Sequence, residues 1–192
     1  MFFDGTDRIH QAMRRVVDLF EQHGIDYAII GGMAVNAHKH QRTTQDVDFL
    51  IRPQSLGVIR DLVMQEALRA DPARARRFFE PQTGVRFDIL VTGAFPGSGD
   101  PGPLAFPDPV AVSQVVDQLR VVNLPTLIEL KLAAHRYQDF ADVVNLIRSN
   151  ALDESFATQL HASVRADFIE CLEEKRRDDE YDRRQGGGES LD

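Results

Sequence analysis

The sequence predicts an α/β (α+β) protein with a helical C-terminal part. Short apolar or alternating runs at 26–30, 46–51 and 85–91 have the period of strands, and segments with helical spacing lie between them. From Pro125 onward the spacing is helical nearly to the end. With 192 residues, 43% apolar and 27% charged, the chain can bury a core, and wholesale disorder is excluded.

Taken in order, residues 7–23 read as an amphipathic helix, with Ile9, Met13, Val16, Val17 and Phe20 on one side. Thr6 or Asp7 caps its start and Gly24 ends it. Residues 26–30 form a short buried strand that Gly31-Gly32 breaks, and Met33 to His38 begin a second helix. A polar loop at 38–45 leads to the strand DVDFLI at 46–51, and a helix follows near 55–68. VRFDILV at 85–91 is a third strand. Eight of the fourteen residues from Pro96 to Pro109 are Pro or Gly, which predicts a long loop. Residues 119–123 are expected as a last edge strand. Pro125 opens a helix, Phe140 to Ile147 supply the next, and 154–172 continue as helix. EEKRRDDEYDRR is expected as a solvated helix end and 186–192 as a disordered tail.

Several function classes fall away on composition. No apolar run approaches the roughly 18 residues of a membrane span, and the N-terminus lacks the basic-then-apolar order of a secretory signal. A cytoplasmic protein without membrane partners is expected. The single cysteine, Cys171, excludes an internal disulfide framework and any multi-cysteine zinc site. Twenty-two basic against thirty acidic residues give a net charge of −8, which disfavours non-specific nucleic-acid binding but leaves room for a local basic patch.

Three carboxylates carry the chemistry. Asp46 and Asp48 sit two apart in a strand, so both point to one face, with Cα atoms about 6.5–7 Å apart. Two carboxylates so placed can share a pair of magnesium ions about 3.5–4 Å apart. Val47 and Phe49 anchor the other face. Asp88 lies inside the apolar strand RFDILV, where a charge is costly unless paired or metal-bound. Oxygen-only donors point to Mg²⁺ or Mn²⁺ rather than zinc. Gly31-Gly32, at a strand end, would let a phosphate approach the backbone.

The stretch IIGGMAVNAHKHQRTTQDVDFLI resembles the first motif of the polymerase-beta-like nucleotidyltransferase superfamily. Arg42, Thr44, Asp46 and Asp48 are similar to the Arg-x-Thr-x-Asp-x-Asp version of the AbiEii-like, minimal group. LPTLIELKLAAHRYQDFADVVNLI is similar to that group's helical motif, with Lys131, Arg136, Asp139 and Asp142. Gly32 stands where many relatives have serine and Gln138 where the helical motif has lysine, and the chain is short beside larger relatives, which carry a longer C-terminal lobe.

The resemblance implies a nucleotidyltransferase-type mixed sheet flanked by helices: a nucleotidyltransferase domain over 1–152 and a helical extension over 153–185. It implies transfer of an NMP from an NTP to an acceptor hydroxyl on a tRNA end, a protein or a small molecule. A toxin-like setting would add a cognate antitoxin-like partner. Asp46, Asp48 and Asp88 would be the metal-binding and catalytic carboxylates. Gly31, Gly32, Arg42, Thr44 and Lys131 would bind nucleotide.

Plainer readings stand beside these. Asp46 and Asp48 could be solvated acids at a strand start, and Asp88 an acid paired with Arg86 or another arginine. Lys131 could be a snorkelling helix lysine. Arg136 and Asp139 could pair with each other, and Asp142 could be structural. His38 and His40 read as solvated loop histidines, or as contacts to phosphate or acceptor. The arginines at 69, 74, 76 and 77 read as a solvated helix face or, if they bind anything, a site for an RNA end. The rival functions are a non-catalytic nucleotide- or partner-binding relative, and an interaction module built on the acidic surface and C-terminal helix.

Overall fold

The apolar alternation of DVDFLI and RFDILV places these two runs side by side at the centre of one mixed sheet. The computed structural model describes residues 7–186. Its elements are α1 (Arg8–Gln22), β1 (Tyr27–Ile30), α2 (Gly31–Ala37), β2 (Asp46–Ile51), α3 (Leu56–Met64), β3 (Arg69–Asp71), β4 (Arg74–Phe79), β5 (Arg86–Val91), α4 (Pro109–Val112), β6 (Ser113–Val116), β7 (Leu119–Val122), α5 (Leu124–Ala134), α6 (Tyr137–Asn150) and α7 (Arg165–Gly186). The seven strands run in the order β3-β4-β5-β2-β1-β7-β6. β2 pairs with β5 and β1 with β7 in parallel, and the other pairings are antiparallel.

The face of β2 and β5 opposite the aspartates holds an aromatic core. Phe49 meets Phe20 of α1 edge-on at 5.1 Å between ring centroids and Phe87 at 6.1 Å, and Phe78 stacks on Phe87 at 5.7 Å. Such contacts add to the burial of each ring, which itself stabilises by roughly 1.5–3 kcal/mol. Asp7 caps α1 by accepting from the Ile9 and His10 amides. Asn123 caps α5, with Pro125 in its first turn. Phe168, Cys171 and Leu172 of α7 join the same buried core as the sheet. Among the described residues no helix is long and apolar enough to cross a membrane.

The α/β class and the mixed sheet with flanking and C-terminal helices are present. Several expected details are not. The arginine-rich stretch at 69–77 is the β3–β4 hairpin, not a helix face. Its charged, exposed residues hide the strand period, and its turn is set by the Asp71 carboxylate accepting from the Ala73 amide at 2.8 Å. Residues 119–122 are not the edge: β7 lies between β1 and β6. The β6–β7 turn is made by Asp117 and Gln118 at φ of 48° and 68°, a left-handed pair with no glycine to announce it.

The expected helix at 154–172 is two 3₁₀ turns, Glu154–Gln159 and Ala162–Val164, before α7. The Asp153 and His161 side chains cap these turns. α2 begins at Gly31 rather than Met33, and α3 stops at Met64. Beyond Gly186, the tail expected at 186–192 lies outside the described residues.

Candidate active site

Strand register brings the aspartates together. Ile30 of β1 is the Cα partner of Asp48, Asp48 that of Asp88, and Asp88 that of Arg77 on β4. One row therefore crosses four strands, from the end of β1 beside Gly31, through two carboxylates, to an arginine. Asp46 stands two residues before Asp48, opposite Arg86. All of these residues line a cleft of about 490 Å³ whose apolar wall includes Leu127, Leu130 and Phe106.

The glycines do more than leave the backbone bare. Gly31 has φ +63°, and a Cβ there would collide with the Asp48 carboxylate. A Cβ on Gly32 would fall 2.8 Å from Thr44 Oγ1 and 3.0 Å from Arg42 Nη2. The space that two absent side chains provide is thus occupied by Asp48, Thr44 and Arg42. The Thr44 hydroxyl lies within 3.1 Å of the Asp46 carbonyl and 3.2 Å of its Oδ1, so it orients Asp46 from behind.

Two of the three carboxylates are held by arginines. Arg77 donates a two-bonded fork to Asp88, Nε to Oδ1 at 2.9 Å and Nη2 to Oδ2 at 3.1 Å. Arg86 Nη2 pairs with Asp46 Oδ2. The expectation that Asp88 might pair with an arginine is met, by Arg77 rather than Arg86. Asp48 accepts no hydrogen bond from any described side chain. Its burial and the facing Asp88 push its pKa up to about 6, against the pull of Lys131, Arg136 and Arg42.

Lys131 is a buried ion rather than a snorkelling one. Its Nζ lies 2.9 Å from Asp139 and 2.6 Å from Asp142. Arg136 pairs with Asp139 at 2.6 Å, Gln138 donates to Asp142 at 3.1 Å, and Arg42 Nε is 3.3 Å from Asp142. Asn36 locks Arg42 in place, accepting from its amide at 2.7 Å and donating to its carbonyl at 3.0 Å. The polar loop before Asp46 is thereby tied to α5 and α6.

His38 is a correction. It is buried, with Nε2 2.8 Å from the Val122 carbonyl, and burial pushes its pKa down. Sequence reasoning missed Arg77 and Asn36 as site residues. The four-arginine run was the signal for Arg77, obscured by the wrong element; Asn36 carried none.

Among the described residues, no group of three His, Cys, Asp or Glu is gathered as a metal cage, and Asp46 and Asp88 are each paired with an arginine. The donor set still suits a hard divalent cation. Asp48 is a carboxylate without a hydrogen-bond partner among the described residues, facing a second carboxylate in register, and all the ligand atoms are oxygen.

No protein-family model matches the chain, and no curated protein sequence does. Solved structures do. The crystal structure of ANT(2″)-Ia in complex with adenylyl-2″-tobramycin superposes with a TM-score of 0.52 at 11% identity, over 83% of this chain and 96% of that one. The lincomycin-bound lincosamide antibiotic adenylyltransferase LnuA superposes with a TM-score of 0.50 at 18% identity, over 71% and 94%. At such identities the likeness is one of fold, and the fold of this chain is that of the nucleotidyltransferases: a mixed sheet flanked by helices, closed by a C-terminal helix.

Proposed function

We propose that the chain is a metal-dependent nucleotidyltransferase that moves an NMP from an NTP to an acceptor hydroxyl. The observation that carries this is the register pairing of Asp48 with Asp88, with Asp46 on the same strand face and Gly31 alongside. A binding-only fold has no need to bring three carboxylates into one cleft against their mutual repulsion.

Asp46 and Asp48 would hold two Mg²⁺ or Mn²⁺ ions and Asp88 one of them. When bound, the ions neutralise triphosphate charge and polarise the reacting oxygens. The Gly31 and Gly32 backbone takes the β and γ phosphates. Arg42 and Lys131 stand on the nucleotide side as electrostatic clamps, and Thr44 orients Asp46. The acceptor oxygen forms a bond to the α-phosphorus, the α–β bridging P–O bond breaks, and pyrophosphate leaves with the electron pair. Asp88 takes the hydroxyl proton.

The similarity of Arg42, Thr44, Asp46 and Asp48 to the AbiEii-like motif supports a toxin–antitoxin setting as part of this reading. Acceptors to test are a tRNA end, a protein hydroxyl and a small molecule. The antibiotics named with ANT(2″)-Ia and LnuA make the last a concrete class. The second reading is a non-catalytic nucleotide-binding relative. The Arg77 fork on Asp88 and the Arg86 pairing with Asp46 favour it, because those carboxylates already have cationic partners.

Incubation with each α-³²P-NTP, Mg²⁺ or Mn²⁺, and total tRNA, cell protein or a small-molecule pool decides between them. Label in one acceptor class that vanishes in Asp48→Ala establishes the reaction. Metal-dependent NTP binding without transfer selects the inert relative.

A further inference from the structure

Five cations border one cleft in a chain of net charge −8: Arg42, Arg77, Arg86, Lys131 and Arg136. They divide by position. Arg42, Lys131 and Arg136 are tied to Asp139 and Asp142 on the helical side. Arg77 and Arg86 rise from β4 and β5, across the carboxylate row from Gly31. If the triphosphate occupies the glycine end, as the proposed function holds, these two guanidinium groups face the acceptor. Arg86 Nε is moreover buried with no hydrogen-bond partner among the described residues. A buried donor without an acceptor is destabilising, so an anion supplied by a ligand is favoured at this guanidinium.

We propose that Arg77 and Arg86 form an anion clamp on the acceptor side, and that the acceptor hydroxyl belongs to a phosphate-bearing molecule. A guanidinium fork matches phosphate geometry with two parallel hydrogen bonds, as Arg77 already shows on the Asp88 carboxylate. Asp88 holds the Arg77 fork and Asp46 pairs with Arg86 Nη2 in the free protein, so the clamp opens when cations engage those carboxylates. A polycationic acceptor would then meet like charge at this wall, and an uncharged one would give the released guanidinium groups no anion.

Two phosphate sources share this chemistry, a nucleic-acid end and a phosphorylated small molecule. The probes are a 5′-phosphorylated ribonucleotide hexamer with a free 3′ hydroxyl, and ribose 5-phosphate. Their affinities are measured by calorimetry on the full chain, with Mg²⁺ and a non-hydrolysable ATP analogue present. Binding of at least one probe is expected, and Arg77→Gln and Arg86→Gln should each weaken it about ten-fold. Arg77→Lys should recover part of the loss, and the affinity for the ATP analogue should hold. The probe that binds identifies the source.

A second arm needs no turnover. Without metal, Asp88→Asn releases the Arg77 fork and should tighten probe binding. Failure of both probes to bind, or an unchanged affinity in both arginine variants, overturns the clamp. So does a loss confined to the ATP analogue, which would make the arginines nucleotide ligands. If ATP-analogue binding and label transfer are both absent, the proposed function fails instead. If label passes to a cationic or uncharged hydroxyl with Arg77→Gln silent, only the clamp fails.

Discussion

Asp48 and Asp88 stand directly opposite each other as Cα partners on adjacent parallel strands. Arg77 neutralises Asp88, whereas Asp48 is half-buried and accepts no hydrogen bond from a described side chain. The unfavourable charge therefore falls on Asp48, whose pKa rises from 3.8 to about 6. A carboxylate raised in the folded state binds protons more tightly there than in the unfolded chain, so stability falls as pH rises from 3.8 to about 6. By pH 7 the whole cost is present. Asp48→Asn removes it and should stabilise the metal-free protein by on the order of 3 kcal/mol at pH 7. Urea unfolding should show the gain shrinking toward pH 4, while NMP transfer is lost.

On the proposed metal-dependent reading, the same titration governs cation binding. A metal ligand must be deprotonated, so Mg²⁺ or Mn²⁺ competes with the Asp48 proton. Added cation should raise the melting temperature at pH 7.5 through binding to the folded state. Below about pH 6 the apparent affinity should fall by up to about ten-fold per pH unit. A melting temperature indifferent to cation in the wild type, or equally responsive in Asp48→Ala, would remove the metal reading.

Gly31 and Gly32 should tolerate substitution differently. Gly31 has φ +63° and its missing Cβ is replaced by the Asp48 carboxylate. Gly31→Ala combines left-handed strain with displacement of Asp48, and should destabilise by about 1–3 kcal/mol while abolishing transfer. Gly32 has no left-handed φ and meets side chains only, the Arg42 guanidinium end and Thr44 at its Oγ1 and Cβ. Gly32→Ser should therefore lose less stability than Gly31→Ala, while displacing Thr44 from Asp46. Paired urea curves and transfer assays check the ranking.

How much of this site was legible follows from where its signals are written. Asp46, Asp48 and Asp88 could be placed on one face because strand period is two and their neighbours Val47, Phe49 and Phe87 are apolar. The order of strands is not a local property, so the register of Asp48 with Asp88 was an expectation that pairing alone could supply. Arg77 was hidden because an exposed, arginine-rich strand shows no alternation, and β6 because its turn uses Asp117-Gln118 instead of glycine. Lys131 and Asp142 were visible as a motif, but their burial together was not. Whether a helical lysine reaches water depends on the helix packed against it.

That burial supports a prediction of its own. Lys131 Nζ is the shared cation of two carboxylates that are themselves buried, Asp139 and Asp142. Removing one partner of such a pair leaves uncompensated charge, which typically costs about 3–5 kcal/mol. Lys131→Met should be among the most destabilising single changes in α5. Arg136 and Gln138 still reach one carboxylate each, which places the expected loss toward the lower end. Asp142→Asn keeps the Lys131–Asp139 bond and should lose less. Chemical denaturation of the two variants gives the comparison directly.

Glu80 gives the acid limit of the fold. It is buried at 3% exposure in the turn between β4 and β5, the segment that delivers Asp88. Burial alone would raise its pKa. The Arg15 guanidinium at 3.2 Å, the Thr83 hydroxyl, and the Gln82 and Thr83 amides at 3.1 and 2.8 Å outweigh that and hold it at about 2. A carboxylate depressed from 4.5 to about 2 contributes stability that is complete above pH 4.5 and lost as pH falls toward 2. Arg15 is partly solvated, so screening reduces the gain to on the order of 2 kcal/mol. Glu80→Gln should cost about that much at pH 7. The wild-type and variant unfolding curves should converge as pH approaches 2. Convergence already at pH 4 would mean that the Arg15 and turn contacts do not hold the charge.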